Sequence, residues 1–253
     1  TNSSANYTPG SSGQGSGGID WKGLIARVRE VLLNPKTIWP KLKTETASVS
    51  ELYKNYILIL AAIPAICGFI GVIIFGARVP FVPVSAKIDT IDTLMMQIIA
   101  YISSIVMIYV YAFIYEKLAP KFQGSTDFVS TLKLVAYSMT PGFVSGFLQL
   151  VPVLGMLAIF FSIYSLYMLW QGIPVMTGVP TEKRLPYFLV SLVVGIIATF
   201  VIGIILSFVS PAMDPQNLTF DGPNGQQEFD LNKFKEGLDQ SLQEMQKFAP
   251  KPE

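Results

Sequence analysis

Side chains able to do acid–base, nucleophilic or metal chemistry are nearly absent from the apolar body of this chain. There is no histidine and a single cysteine, Cys67. A Cys/His metal cluster, an internal disulfide and a Ser–His–Asp relay therefore all lack their parts. Cys67 stands inside an apolar run and reads as a small packing residue, the usual behaviour of free cysteine. Glu116, at the end of another apolar run and beside Lys117, fits an interfacial carboxylate better than an intramembrane proton carrier. No Gly-rich phosphate loop and no basic–aromatic nucleic-acid surface occurs. These absences argue against an enzyme, a bound cofactor, a metal or a nucleic-acid partner.

The polar groups that do fall within apolar runs suit packing or a polar path. Gln97 and Gln149 are the amides expected nearest mid-membrane, either hydrogen-bonding between helices or lining a cavity. Tyr101 lies one helical turn beyond Gln97, and Tyr109, Tyr111, Tyr115, Tyr137, Tyr164 and Tyr167 follow. Those too deep for an interfacial belt require partners for their hydroxyls, so a tyrosine-lined crevice is open as a reading. Small residues recur at spacing four: Ala61 and Ala65; Ser138, Gly142 and Gly146; Gly195, Thr199 and Gly203. That pattern lets helix backbones approach closely, within one bundle or between copies.

The elements that must hold these residues are membrane helices. Only 14% of the 253 residues are charged, against 51% hydrophobic, and the apolar residues gather in runs free of charge. A run of about 20 apolar residues crosses the ~30 Å hydrocarbon layer. Spans are expected at about 56–76, 93–115, 134–151, 154–171 and 186–209, together a five-transmembrane-helix bundle over 55–211 in an all-α integral membrane fold. Residues 134–181 carry no charge and are too long for one span; Pro152 and Gly155, in Val151-Pro152-Val153-Leu154-Gly155, mark the hinge between two. Pro64 and Pro141 are expected kinks.

Before the bundle, residues 19–54 read as a basic amphipathic segment. Trp21, Leu24, Ile25, Val28 and Leu32 recur at helical spacing, Asn34-Pro35 breaks the helix, and Ile38, Trp39 and Leu42 share one side of a second. Such a segment either lies in the headgroup region or packs under the bundle. Residues 1–18, rich in Ser, Gly and Asn, read as a flexible linker or a cloning remnant. After the bundle, 212–253 is an acidic tail. A hairpin is expected there, its strands flanking a four-residue turn at Gly222-Pro223-Asn224-Gly225, followed by an amphipathic helix carrying Leu231, Phe234, Leu238, Leu242 and Met245. Basic residues cluster before the first span and in the second and fourth loops, which predicts a cytoplasmic N-terminus and an extracytoplasmic C-terminus.

Taken in order, these features resemble the Yip family, the Ypt/Rab-interacting membrane proteins, in its bacterial branch. The resemblance covers about Trp21 to Pro211. It rests on Leu32-Leu33-Asn34-Pro35-Lys36-Thr37-Ile38-Trp39 before the first span and on Ala136-Tyr137-Ser138-Met139-Thr140-Pro141 opening the third. The Pro152–Gly155 hinge and the approach to a basic loop from Tyr164 to Gly172 complete it. The resemblance implies a compact five-helix domain with a cytoplasmic N-terminus, in the inner (cytoplasmic) membrane of a bacterium. Eukaryotic relatives are tied to small GTPases and vesicle traffic, but the N-terminal arm here is short and basic, without an acidic, aromatic-rich segment.

The expected function is that of a non-enzymatic membrane scaffold or adaptor. Its partners would be the lipid bilayer and other membrane proteins or further copies of itself. The alternative is a small transporter or channel with a polar, tyrosine-lined path between helices two to four, carried by Gln97, Gln149 and Tyr101. A lipid-modifying enzyme would need an acid–base pair or nucleophile that the chain does not display.

Overall fold

The computed structural model describes residues 20–78, 84–86, 90–208, 218–222 and 225–228. Two expected elements, the linker over 1–18 and the amphipathic helix from Leu231 to Met245, lie outside the described residues.

The chain opens with helix α1 (Trp21–Leu33), started by Asp20, whose carboxylate accepts the Gly23 N–H at 3.0 Å. An acceptor at this position satisfies one of the orphan donors of the first turn. Asn34 ends α1, and its carbonyl accepts the N–H groups of Thr37 and Ile38, turning the chain through Pro35 into α2 (Ile38–Thr44). A capping box, in which Ser48 and Glu51 serve each other's backbone N–H, starts α3 (Val49–Leu52). A π-helical turn, Tyr53–Ile57, joins it to α4 (Leu58–Phe75), which contains Pro64 and stops at Gly76. Gly76 has φ 74°, a conformation that costs glycine little and an L side chain much.

The second long helix, α5 (Thr90–Leu118), is followed by a 3-10 turn, Ala119–Phe122, and by α6 (Phe128–Ser138), capped by Asp127. The third expected span is not one helix. It consists of α6, then α7 (Thr140–Val144) opening on Pro141, then a 3-10 segment, Ser145–Leu150. Val151 is extended, and a second 3-10 segment, Pro152–Leu157, leads into α8 (Ala158–Thr177). Thus the Pro152 hinge is broader than a tight turn, and α8 runs six residues past its expected end at 171. A turn at Thr181–Lys183 leads into α9 (Arg184–Ser207).

Among the described residues, four helical stretches are long and apolar enough to cross a membrane: Val49–Phe75, Thr90–Phe122, Val153–Thr177 and Thr181–Ser207. The body is therefore a helical membrane fold. Its outward surface is apolar, with Ile74, Val193, Ile197, Phe200 and Ile204 exposed. Water would penalise such a surface and hydrocarbon does not. The densest core sits at one end of the bundle, where Ile38, Trp39 and Leu42 of α2 meet Leu132, Leu134, Ile173 and Met176. The second helix of the amphipathic segment is thus packed under the bundle.

At the opposite end four short strands form one antiparallel sheet in chain order: β1 (Ala77–Arg78), β2 (Val84–Ala86), β3 (Leu218–Gly222) and β4 (Gly225–Glu228). β3 pairs with β4 as the expected hairpin, with Gly222 opposite Gly225, so the ladder reaches both glycines. β2 pairs with β3, Ser85 opposite Thr219, and so the first loop and the tail share a sheet.

Candidate functional site

Two regions bring together the residues singled out by sequence. The first is the junction where the N-terminal helices dock. Trp39 fills a slot that exists because residue 172 is glycine: a Cβ there would fall 2.5 Å from Leu134 Cδ1 and 2.8 Å from the Trp39 ring. Tyr164 donates to the Leu32 carbonyl at 2.6 Å, tying α8 to the end of α1. Tyr137 lies against Tyr56 with ring centroids 4.7 Å apart, and the hydroxyls of Tyr56 and Thr140 are 2.7 Å apart. Of the motif residues, then, Asn34 and Pro35 form the turn that presents Trp39, while Tyr137 and Pro141 lie where α6 passes into α7. Gly155 belongs to the 3-10 segment on the far side, with open space beside it, and Pro152 starts that segment.

The same junction holds a buried ionic network that joins residues distant in sequence. Arg27 has a side chain with 0% exposure, and its Nη2 donates to Glu45 Oε1 at 2.6 Å. Glu30 lies 3.6 Å from Arg27 and accepts from Lys41 at 2.8 Å. Lys133, on α6 and only 4% exposed, donates to the Leu42 carbonyl at 3.0 Å and to the Glu45 carbonyl. An ammonium at a helix C-terminus meets unsatisfied carbonyls and the negative end of the helix dipole. For Asp127, burial raises the pKa, but hydrogen bonds from the Ser130 side chain and backbone outweigh it and leave the carboxyl lowered. Lys43 and Thr126 both donate to the Met176 carbonyl at 3.0 Å, fastening α2 and the α5–α6 loop to the end of α8.

The second region lies further along the bundle from the junction, where Gln97 is half-buried and Gln149 exposed. Gln97 of α5 and Gln149 of the 3-10 segment converge over Gly68 of α4: a Cβ there would fall 2.8 Å from Gln149 Oε1 and 3.1 Å from Gln97 Nε2. The Gln149 carbonyl also sits over Gly71, 2.0 Å from where a Cβ would be. Gly146 lies directly on Pro64, its would-be Cβ 2.6 Å from Pro64 Cα. Small residues thus let the irregular third segment press against α4. Tyr101 donates to the Leu58 carbonyl at 3.1 Å. The groove beside it, about 290 Å³ and open, is lined by Ala62, Ala65, Phe69, Leu94, Gln97 and Tyr101 among others, nearly all apolar in surface. Elsewhere, Gly142 and Ser138 border α8 and a cavity at its side, and Gly195 faces Tyr111. Gly203 has open space around its α-carbon among the described residues.

A family model for the Yip1 domain matches residues 29–204, from the end of α1 through nearly all of the bundle. The chain belongs to the Yip1-domain family. Inner membrane protein YohC of Escherichia coli strain K12 is 24% identical over 159 residues, covering 62% of this chain and 81% of that protein. The protein of the same name from Escherichia coli O6:H1 strain CFT073 matches to the same extent. No solved structure matches the chain significantly. The Yip1 match contains Trp39, Glu45, Lys133 and Gly172 of the docking junction, whereas Arg27 and most of α1 precede it.

Proposed function

We propose that this protein is a non-enzymatic scaffold or adaptor of a bacterial inner membrane, holding other membrane proteins or further copies of itself. The observation that carries this reading is the two-sided character of α1. Its inner edge is fixed by Leu24, Val31 and the buried Arg27–Glu45 pair, whereas its outer stripe leaves Trp21, Ile25 and Leu33 more than half exposed next to Lys22 and Arg29. A rigidly held helix with an apolar and basic outer face suits a surface that binds at the membrane interface. The matched relative carries the words inner membrane protein in its name.

In this reading 19–54 is a cytoplasmic segment, 55–211 the membrane domain with five crossings, and 212–253 an extracytoplasmic tail. The β2–β3 pairing supports the fifth crossing. The loop after α4 and the tail after α9 lie on one side only if an even number of crossings separates them. α5, α8 and α9 make three, and the broken segment α6–α7–Leu150 supplies the fourth.

In-cell crosslinking with mass spectrometry tests the adaptor reading, comparing the parent chain with a Trp21→Ala, Ile25→Ala, Leu33→Ala variant. A recurring partner that the variant loses supports it; a parent chain that crosslinks to nothing beyond itself or lipid, and purifies as a bare monomer, refutes it. A transporter or channel is the second reading, favoured by the convergence of Gln97 and Gln149 over Gly68. Solute flux in liposomes, abolished by Gln97→Leu with Gln149→Leu, would support that alternative.

A further inference from the structure

A cavity of about 150 Å³ lies between α5, α6, α8 and α9. Ser138, Ser165 and Ser191 line it, together with Tyr111, Tyr115 and Gly195. Ser138 is only 3% exposed, and its hydroxyl and that of Ser165 are buried with no hydrogen-bond partner among the described residues. An unsatisfied buried hydroxyl costs about 1–3 kcal/mol, so two on one cavity wall need an explanation. Packing does not supply one, because the volume beside them is empty and larger than a methyl group. Seen from the end that carries Lys117 and Arg184, Ser191 is seven residues into α9, roughly 10 Å at 1.5 Å per residue. The site is therefore within the hydrocarbon layer, below headgroup level.

We propose that this cavity binds a neutral, hydroxyl-bearing apolar molecule taken from the bilayer, its hydroxyl reaching Ser138 and Ser165. Three observations select that chemistry. No lining residue is charged, so nothing there would compensate an ionic headgroup. The remaining wall is apolar, supplied by Val135, Met139, Leu169 and Leu192, which suits a hydrocarbon body. Leu166 and Ile196 also line the cavity and are 40% and 46% exposed, which puts its mouth on the lipid-facing surface between α8 and α9. A volume near 150 Å³ is that of engineered cavities that take up a benzene-sized molecule, so it holds a short segment of an alcohol and not a whole phospholipid. This site is independent of the adaptor reading; it stands or falls on occupancy alone.

The test is photolabelling of the full chain in lipid nanodiscs, using octanol carrying a diazirine and the matching diazirine alkane. Labelled residues are mapped by mass spectrometry. The expected result is saturable labelling by the alcohol around Val135–Met139, Ser165–Leu169 and Ser191–Ile196. It should exceed labelling by the alkane roughly 5–10-fold, the effect of one or two buried hydrogen bonds. Ser138→Ala with Ser165→Ala should bring the two probes to parity while labelling of the outer lipid face stays unchanged. Equal labelling of the cavity by both probes in the parent chain would mean a packing void without hydroxyl recognition and would overturn the proposal. So would alcohol labelling that is unsaturable or spread evenly over the lipid-facing helices. The parent-chain comparison needs no variant, so a misfolded mutant does not decide the matter.

Discussion

Breaking the Arg27–Glu45 pair should release the N-terminal helices from the bundle. Arg27 has no exposed side-chain surface, and Glu45 retains 8%. Lys133 approaches from the other side, donating to the Glu45 carbonyl and not to its carboxylate. Replacing Arg27 with Met therefore leaves the Glu45 carboxylate buried with its nearest cation removed. For a buried pair that loss is about 3–5 kcal/mol, most of it the cost of the stranded charge. Replacing both residues with Met removes the charge as well as its partner, and should recover at least about half of the loss. The measurement is equilibrium unfolding in detergent of the parent, Arg27→Met, Glu45→Met and the double variant, with trypsin cleavage at Lys41 and Lys43 reporting arm release. Arm release predicts fast cleavage in Arg27→Met and near-parental protection in the double variant. A loss under about 1 kcal/mol for Arg27→Met, or a double variant as unstable as the sum of the singles, would refute the assignment of this pair as the clasp.

Three further outcomes follow from the close contacts and caps. Gly172→Ala puts a Cβ 2.5 Å from Leu134 and 2.8 Å from the Trp39 ring, so Trp39 must leave its slot, with a red shift of its fluorescence and a loss of about 1–3 kcal/mol; unchanged emission would contradict the slot. Gly146→Val meets the Pro64 backbone at 2.6 Å and should destabilise the purified protein by a similar or larger amount, whereas Gly203→Val, with open space around it, should shift the melting temperature little. Asp127→Ala should cost about 1 kcal/mol through the lost α6 cap, and Asp127→Asn almost nothing at neutral pH. Because the folded Asp127 pKa is lowered from 3.8, its contribution is present above that value and is lost as pH falls through the lower folded value. Asp127→Asn should flatten that part of an acid melting series.

Periodicity and hydropathy made the long helices legible, because a bilayer demands runs of apolar residues whatever they pack against. The turn at Asn34-Pro35 and the apolar side of the helix that carries Trp39 were legible as well, as local signals. The broken third segment was not. A charge-free run around Pro141 and Gly146 has the composition of a helix, and its close contact with Pro64 of α4, distant in sequence, is what accompanies the 3-10 backbone there. The clasp was also hidden, because Arg27, Glu45 and Lys133 are distant in sequence and no local pattern links them. The pairing of β2 with β3 joins segments on either side of five helices, α5 to α9, beyond the reach of any local pattern.

The positions of the clasp and the cavity limit how the bundle can work. α1 and α2 are held by ion pairs, a buried tryptophan and carbonyl bonds at one end, which makes that end a fixed platform. The cavity is bordered by α9, whose outer half is exposed on most of its faces, from Val193 to Ile205. Among the described residues its hydrogen bonds across to neighbouring helices are Arg184 to the Trp170 carbonyl of α8 and Tyr187 to the Tyr115 carbonyl of α5 at 2.7 Å, both near its start, and Thr199 with Tyr111 of α5, also 2.7 Å, near its middle. Swinging the outer half of α9 away from the bundle to admit a molecule therefore breaks its Tyr111–Thr199 contact with α5 and can leave the Arg184–Trp170 bond to α8 and the platform intact. Thr199→Val should then speed labelling of the cavity without exposing Lys41 or Lys43 to trypsin. Faster cleavage at those lysines would mean that the cavity and the clasp open together.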